Sequence, residues 1–395
     1  MYGGKEGYII KEMEGLSKCI EERPAELKRL REEGIRIVGI VGLGYTPEEL
    51  IYSSGAIPQR LIKGGERQTI DDSRAYCHSC FSTFHKAQTG YLLSGKEPVY
   101  NSLDYLIVEA GDWNSEMVGM YVYSYKRIPT TWLGIPGNPD FSGALSYYLT
   151  GLGRLGEKLE ELTGSKVSEE KLREYITLYN EMRDLLKDIS YLRKDPSPPI
   201  GGLDFIKLNH YSFYCQPRKY VDSLRSVYEE LKDERGKYPK DAPRIAIFGC
   251  PIAQGDYVLP KLIEDAGGVI VIEELSGSIR HYETKTKIEG DLIENLARRY
   301  YLERSRDPYK YPWGEELPSM YTRLVKDFDV DGVIWYQLMY MVGFSMLEYV
   351  VSKRMKEMGV PMMTIQSEYD LEGRLESNRT RVETFIEVVK ESKKR

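Results

Sequence analysis

The residues best suited to chemistry are sulfur ligands. The segment AYCHSCFSTFHK (75–86) carries Cys77 and Cys80 as a C-x-x-C pair, with His78 between them and His85 beyond. Two thiolates at this spacing can grip one zinc, one iron, or two corners of an iron–sulfur cluster. A second C-x-x-C is absent, so local motifs cannot build a closed four-cysteine zinc site. The competing reading is two small thiols packed at a loop-to-helix junction. A thioredoxin-like pair fits less well, because no clear strand precedes it. A third thiol, Cys250, stands in IAIFGCPIAQGD directly after a strand signature, where Gly249 and Pro251 let the chain turn sharply. There it could face a cleft and join Cys77 or Cys80; a half-buried loop thiol is the alternative. Cys19 and Cys215 lie in helical or irregular polar stretches and read as structural.

Charged residues gather near the C-terminus. Glu368 and Tyr369 end a strand signature, Arg379 and Arg381 open a helix, and Glu383 and Glu387 follow one turn apart. Cations at a helix start oppose the helix dipole. Their placement points to an anion, either Glu368 or a phosphate, with an internal salt-bridge network as the simpler explanation. No G-x-S-x-G elbow supports a serine nucleophile. Neither G-x-G-x-x-G nor a P-loop follows any strand, and the G-L-G of 42–44 is too short to count.

The elements that must position these residues follow a repeated pattern. Short Ile/Val-rich runs at 35–42, 103–110, 127–136, 243–249, 268–274, 331–339 and 360–367 read as buried strands. The segment TPEELIYSSGA reads as a helix with Thr46 as N-cap and Pro47 at its first position. Residues 143–236 carry apolar residues at helical spacing, broken by DPSPPIGG. The pattern predicts an α/β protein of two doubly wound parallel-sheet domains of Rossmann-like or flavodoxin-like type. Its parts are an N-terminal helical segment (1–34), a first α/β domain (35–142), a helical connector (143–240) and a second α/β domain (241–395). In such folds ligands sit beyond the carboxyl ends of the strands, which is where Cys250 falls.

Composition narrows the function. The 395 residues are 41% hydrophobic and 29% charged, which excludes disorder and collagen-like folds. A net charge of -6 argues against nucleic acid as the main partner. No run approaches the ~18 apolar residues of a membrane helix, and MYGGKEGYIIKEMEG has no signal-type apolar region. The expectation is a cytoplasmic protein with neither nucleic-acid nor membrane partners.

Several segments together resemble the 2-hydroxyacyl-CoA dehydratase and benzoyl-CoA reductase family. GYTPEELIYSSGAIPQRL (44–61) is similar to a family segment through Pro47, Glu49, Leu50, Gly55, Ala56 and Pro58. SRAYCHSC resembles its first cluster-cysteine loop, with Cys77 the best match. FGCPIAQGDYVLPKLIEDAGGVIVIEELSGSIR, ending in Gly277 and Arg280, resembles its loop, helix and strand, and SEYDLEG…NRTRVETFIE its closing strand and helix.

The resemblance implies a component subunit paired with a second homologous subunit. It implies a [4Fe-4S] cluster on three cysteines, and an ATP-hydrolysing iron–sulfur activator that supplies a low-potential electron. The substrate is then a CoA thioester, reduced to a ketyl radical that loses water in the dehydratases. In the reductases an aromatic ring is reduced. Glu49, Asp112 and Glu368 stand in matched segments and are the catalytic candidates. Arg60 and Lys63, with Arg379 and Arg381, are the candidates for binding CoA phosphates.

The sequence departs from that pattern. The second cluster cysteine falls at Gly111 and the third at Met341, while Leu275 takes the place of a further cysteine found in double-cubane relatives. Glycine and a thioether do not replace thiolates. Two expectations remain: a rearranged metal site of Cys77, Cys80 and Cys250, or a cluster-less scaffold or partner subunit.

Overall fold

A computed structural model describes residues 10–234, 236, 238–370, 373 and 375–393. Among the described residues, eight strands form two sheets. Strands β1 (Ile37–Val41), β2 (Ile57–Arg60), β3 (Tyr105–Ala110) and β4 (Thr130–Gly134) make the first, in the order β2-β1-β3-β4. Strands β5 (Arg244–Gly249), β6 (Val269–Glu274), β7 (Gly332–Leu338) and β8 (Met362–Ser367) make the second, in the order β6-β5-β7-β8. Every pairing is parallel. The fold is α/β with two sheets flanked by helices, as the strand signatures predict.

Burial explains those signatures. Strands β1, β5, β6 and β7 are buried at every position, so no polar face interrupts their apolar runs. Only β2 escapes the sequence reading. It is four residues long, holds Pro58 and lies at the sheet edge, where a missing N–H is tolerated.

The sheets are stitched together through the loops at their carboxyl ends. The Gly64 amide donates to Gln254 O at 3.0 Å and the Gln254 amide to Ile62 O at 2.8 Å. The Thr83 amide donates to Met339 O at 3.1 Å. One apolar cluster accordingly runs through both sheets, from Ile37 and Leu106 to Ile247 and Ile334. A second covers the other face of the first sheet, joining Val38, Ile40 and Ile107 to Leu152 and Leu155. Leu292, Leu296, Tyr300 and Tyr301 belong to this second cluster, although their stretch follows β6 in sequence. Residues 292–301 thus return to the first sheet. Among the described residues no helix is long and apolar enough to cross a membrane.

Candidate functional site

The loops after β1, β2, β5 and β6 converge on one cleft between the sheets. Each sheet changes winding direction beside β1 or β5, so these loops part there and leave a crevice. The cleft holds a cavity of about 50 Å³ lined by Arg60, Arg280, Arg299 and Arg304, with His210, His281, Ser276, Tyr300 and the apolar Phe84, Phe213 and Ile252. Its lining includes four arginines and no carboxylate.

The first wall is the Gly42–Thr46 loop. Glu109, two per cent exposed at the end of β3, accepts from the Gly44 amide at 2.8 Å and from the Tyr45 and Thr46 amides at 2.7 Å. Gly42 adopts φ +148°, and a Cβ there would lie 2.4 Å from Glu109 Cβ. Only glycine lets the loop fold over this carboxylate. Thr46 is therefore not an N-cap: among the described residues its hydroxyl has no partner, and the helix Glu48–Ser53 has no side-chain cap.

The arginines differ in how they are satisfied. Arg60 Nε donates to Glu48 Oε1 at 2.5 Å, and its Nη2 to Thr46 O at 3.0 Å. Arg299 bonds His281 O and Thr284 O, and Arg304 bonds Gly44 O and Leu43 O. Arg280 is one per cent exposed, and its Nη2 lies 2.8 Å from Glu274 Oε1. Yet among the described residues its Nε, Nη1 and Nη2 make no hydrogen bond within bonding geometry, and neither does the Ser276 hydroxyl. Buried donors left open are costly, so these groups mark where a ligand oxygen belongs.

The field in the cleft is positive. Burial lowers the Arg299 pKa to about 9, assisted by the neighbouring Arg183. Burial, with Arg183, Arg299, Arg60 and Arg304, holds His281 well below its ordinary value, so its imidazole is neutral at neutral pH. Burial also lowers His210 to about 4; its Nδ1 lies 2.9 Å from Tyr257 Oη. A neutral imidazole among arginines can donate one hydrogen bond and accept another without adding to the repulsion.

Of the candidate catalytic, binding and metal residues, Arg60 alone lines this cleft; Pro251, Gly277 and Arg280 of the family-like segment line it as well. Glu49 is fully buried in an ion pair with Arg183 at 2.6 Å and accepts from Tyr300 Oη at 2.7 Å. Burial pushes its pKa up, but Arg183 and Tyr300 outweigh this and hold it low, so Glu49 is an anchor. Asp112 caps the helix Trp113–Tyr125 and lies 3.3 Å from His85 Nε2. Lys63 bonds Glu97 at 2.5 Å. Glu368 lies in a separate hollow with Arg67, 3.6 Å from Arg67 Nη1 and 3.7 Å from Lys86 Nζ. Arg379 and Arg381 are exposed on the helix Leu375–Lys393, beyond its first turn rather than at its start. Arg381 donates to Thr364 O at 2.9 Å.

The expected metal site is not assembled. Cys80 is exposed and Cys77 half-buried, its Sγ 3.3 Å from Ser73 O. Cys250 has no exposure, and burial raises its pKa, which disfavours the thiolate. Among the described residues no group of three His, Cys, Asp or Glu is placed to hold a metal ion. The positions matched to the other cluster cysteines are also filled. A Cβ on Gly111 would meet Ile135 Cβ at 2.7 Å and Lys310 Nζ at 3.0 Å, and Met341 is fully buried. These residues do not fit a cluster held by three thiolates.

Sequence reasoning missed His281, Arg299, Arg304 and the histidine on the opposite wall, His210. Their only signal was position, shortly after strands or between them, and arginine there is more often a surface residue. Arg280 was legible as part of a family-like segment, without its role.

Comparison with known proteins bears on the whole chain. Residues 44–389 match the family described as 2-hydroxyglutaryl-CoA dehydratase, D-component. YjiM of Escherichia coli (strain K12), which carries the name of a dehydratase subunit, is 24% identical over 91% of this chain and 93% of its own. The (R)-phenyllactyl-CoA dehydratase beta subunit of Clostridium sporogenes is 23% identical over 94% of this chain and 97% of its own. A benzoyl-CoA reductase subunit of Thauera aromatica is 24% identical over 88% of this chain and 89% of its own. With a match that runs from the loop after β1 into the last helix, the chain belongs to the 2-hydroxyglutaryl-CoA dehydratase D-component family.

Proposed function

We propose that this chain is the component subunit of a 2-hydroxyacyl-CoA dehydratase-type enzyme that receives the acyl end of a CoA thioester in the arginine cleft. The observation that supports this reading is Arg280: a buried guanidinium ion-paired through Nη2 with Glu274, whose Nε and Nη1 have no hydrogen-bond partner among the described residues, in a lining it shares with the unpartnered Ser276 hydroxyl. A thioester carbonyl that gains an electron becomes an oxyanion. Fixed cations in a water-poor cleft stabilise such an oxygen more than they stabilise the neutral carbonyl. Arg280 and Ser276 would orient that oxygen, and Arg299 and Arg304 would hold the surrounding field positive.

The cavity, about 50 Å³, suits an acyl end and leaves the nucleotide of CoA at the rim. The electron belongs to the assembled enzyme: a second homologous subunit together with an ATP-hydrolysing iron–sulfur activator. The partner has a suitable surface in the exposed Trp113, Tyr123, Tyr125 and Phe141 on the first sheet's side and Met346 and Tyr349 on the second's. A benzoyl-CoA reductase-like component is the second reading, supported by the similarity to the Thauera aromatica reductase.

Turnover of a panel of CoA thioesters by the reconstituted complex separates these readings by product. In the same assay Arg280→Met is expected to lower kcat/KM at least tenfold, about 1.4 kcal/mol. Unchanged kcat/KM would remove the cleft from the reaction.

A further inference from the structure

Glycine and methionine at the matched cluster positions leave open what occupies the space. The structure fills it with the strap 304–311. Lys310 is two per cent exposed; its Nζ sits 3.0 Å from where a Gly111 Cβ would be and 4.8 Å from the Tyr45 ring centroid. On the other side Tyr309 packs on the start of the helix Val342–Glu357, its ring 6.1 Å from that of Phe344. A Cβ on Gly343 would meet Tyr309 Cε1 at 3.0 Å and Pro308 Cβ at 3.2 Å. The strap therefore lies between the loop after β3 and the loop after β7, the two places from which the missing cysteines would reach inward.

The strap is built in rather than draped over. Asp307 is fully buried, accepts from the Tyr309 amide at 2.8 Å and receives the Tyr45 hydroxyl. Burial pushes Asp307 up, but the Lys310 and Arg280 charges outweigh it and keep the carboxylate ionised. Trp313 Nε1 closes the turn on Pro308 O at 3.0 Å, and the Tyr311 amide reaches Gly137 O at 2.9 Å. An ammonium and a carboxylate pinned this deep are strongly destabilised if either loses its partner. Moving the strap aside for a cofactor would part Asp307 from the Tyr45 hydroxyl and the Arg280 charge, and Lys310 from the Tyr45 ring.

We infer that the strap takes the place of the redox centre, with Lys310 a fixed cation beside Gly111, so this chain is a subunit with no cluster of its own. The thioester-binding reading of the cleft does not depend on this, since titration with a CoA thioester tests it separately.

The test is anaerobic reconstitution of the full chain with ferrous iron and sulfide, followed by iron and sulfide analysis and by alkylation with iodoacetamide read by mass spectrometry. The expected result is less than about half an iron per chain, against the four of a cubane, and Cys80 alkylated at the same rate before and after treatment. About four irons with matching sulfide, or protection of Cys77 and Cys80, would overturn the inference. The double variant Gly111→Cys, Met341→Cys gives a second reading. With the strap in place it gains no iron and melts lower than the parent. A variant that takes up a cluster and keeps the parent's melting temperature would show that the space was free.

Discussion

Two buried groups at the residue scale carry opposite electrostatic burdens. Arg280 is a cation with open donors, and Asp256 is a carboxyl that burial raises to about 7 despite the Tyr336 hydroxyl 2.5 Å away. A carboxyl whose folded pKa lies above its unfolded value contributes stability below about pH 4 and loses it as pH rises through about 7. The parent is therefore expected to melt lower at pH 8 than at pH 5 by most of what Asp256 contributes, a free energy of up to about 3 kcal/mol. Asp256→Asn keeps the acceptor for Tyr336 and removes that part. Thermal melts of the two proteins at both pH values check this: the variant's advantage should be clearly larger at pH 8 than at pH 5. An equal advantage at both would show that Asp256 stays ionised throughout. His281 follows the opposite sign. Its depressed pKa withdraws stability as pH falls below the ordinary histidine range.

At the element scale the cleft depends on a loop rather than on a helix or strand. Glu109 ties three consecutive amides of the Gly42–Thr46 loop, so Glu109→Gln is expected to cost roughly 2–3 kcal/mol by weakening charge-assisted bonds. Gly42→Ala should cost at least as much, because φ +148° and the 2.4 Å approach to Glu109 both oppose a side chain. Denaturant titration measures both, and a change below about 0.5 kcal/mol in either would mean that the loop is not held this way. The strands were legible because both faces of β1, β5, β6 and β7 are buried and leave unbroken apolar runs. Strand β2 was not, since Pro58 and Arg60 in four residues look like a loop. Thr46 resembled a cap because threonine before proline and two glutamates usually is one. Its own amide is instead held by Glu109, 63 residues away, which local sequence cannot reveal.

On the scale of the whole molecule, the two sheets face each other through their carboxyl ends, and that contact creates the site. The family was legible from segments spread over the chain, and the match to residues 44–389 bears that out. The centre of the site was not, because its residues come from distant stretches. Arg60 ends β2, Arg280 follows β6, and Arg299 and Arg304 come from a segment that crosses back to the first sheet. The same crossing delivers Asp307, Tyr309 and Lys310 to the places where thiols were sought. The cysteine pair at 77–80, the most conspicuous motif in the sequence, lies outside the cleft lining, with Cys80 open to solvent. What the assembled sheets enclose is a small cationic cavity with unsatisfied donors, and the proposed function requires that it hold a thioester. Calorimetric titration of the isolated chain with a 2-hydroxyacyl-CoA and with free CoA, repeated for Arg280→Met, reads this without the rest of the complex. The parent is expected to bind the thioester at least tenfold more tightly than CoA, about 1.4 kcal/mol. Arg280→Met should abolish this preference while leaving CoA binding unchanged. Equal affinity of the parent for both ligands, or a preference that survives the substitution, would rule out the arginine cleft as the thioester site.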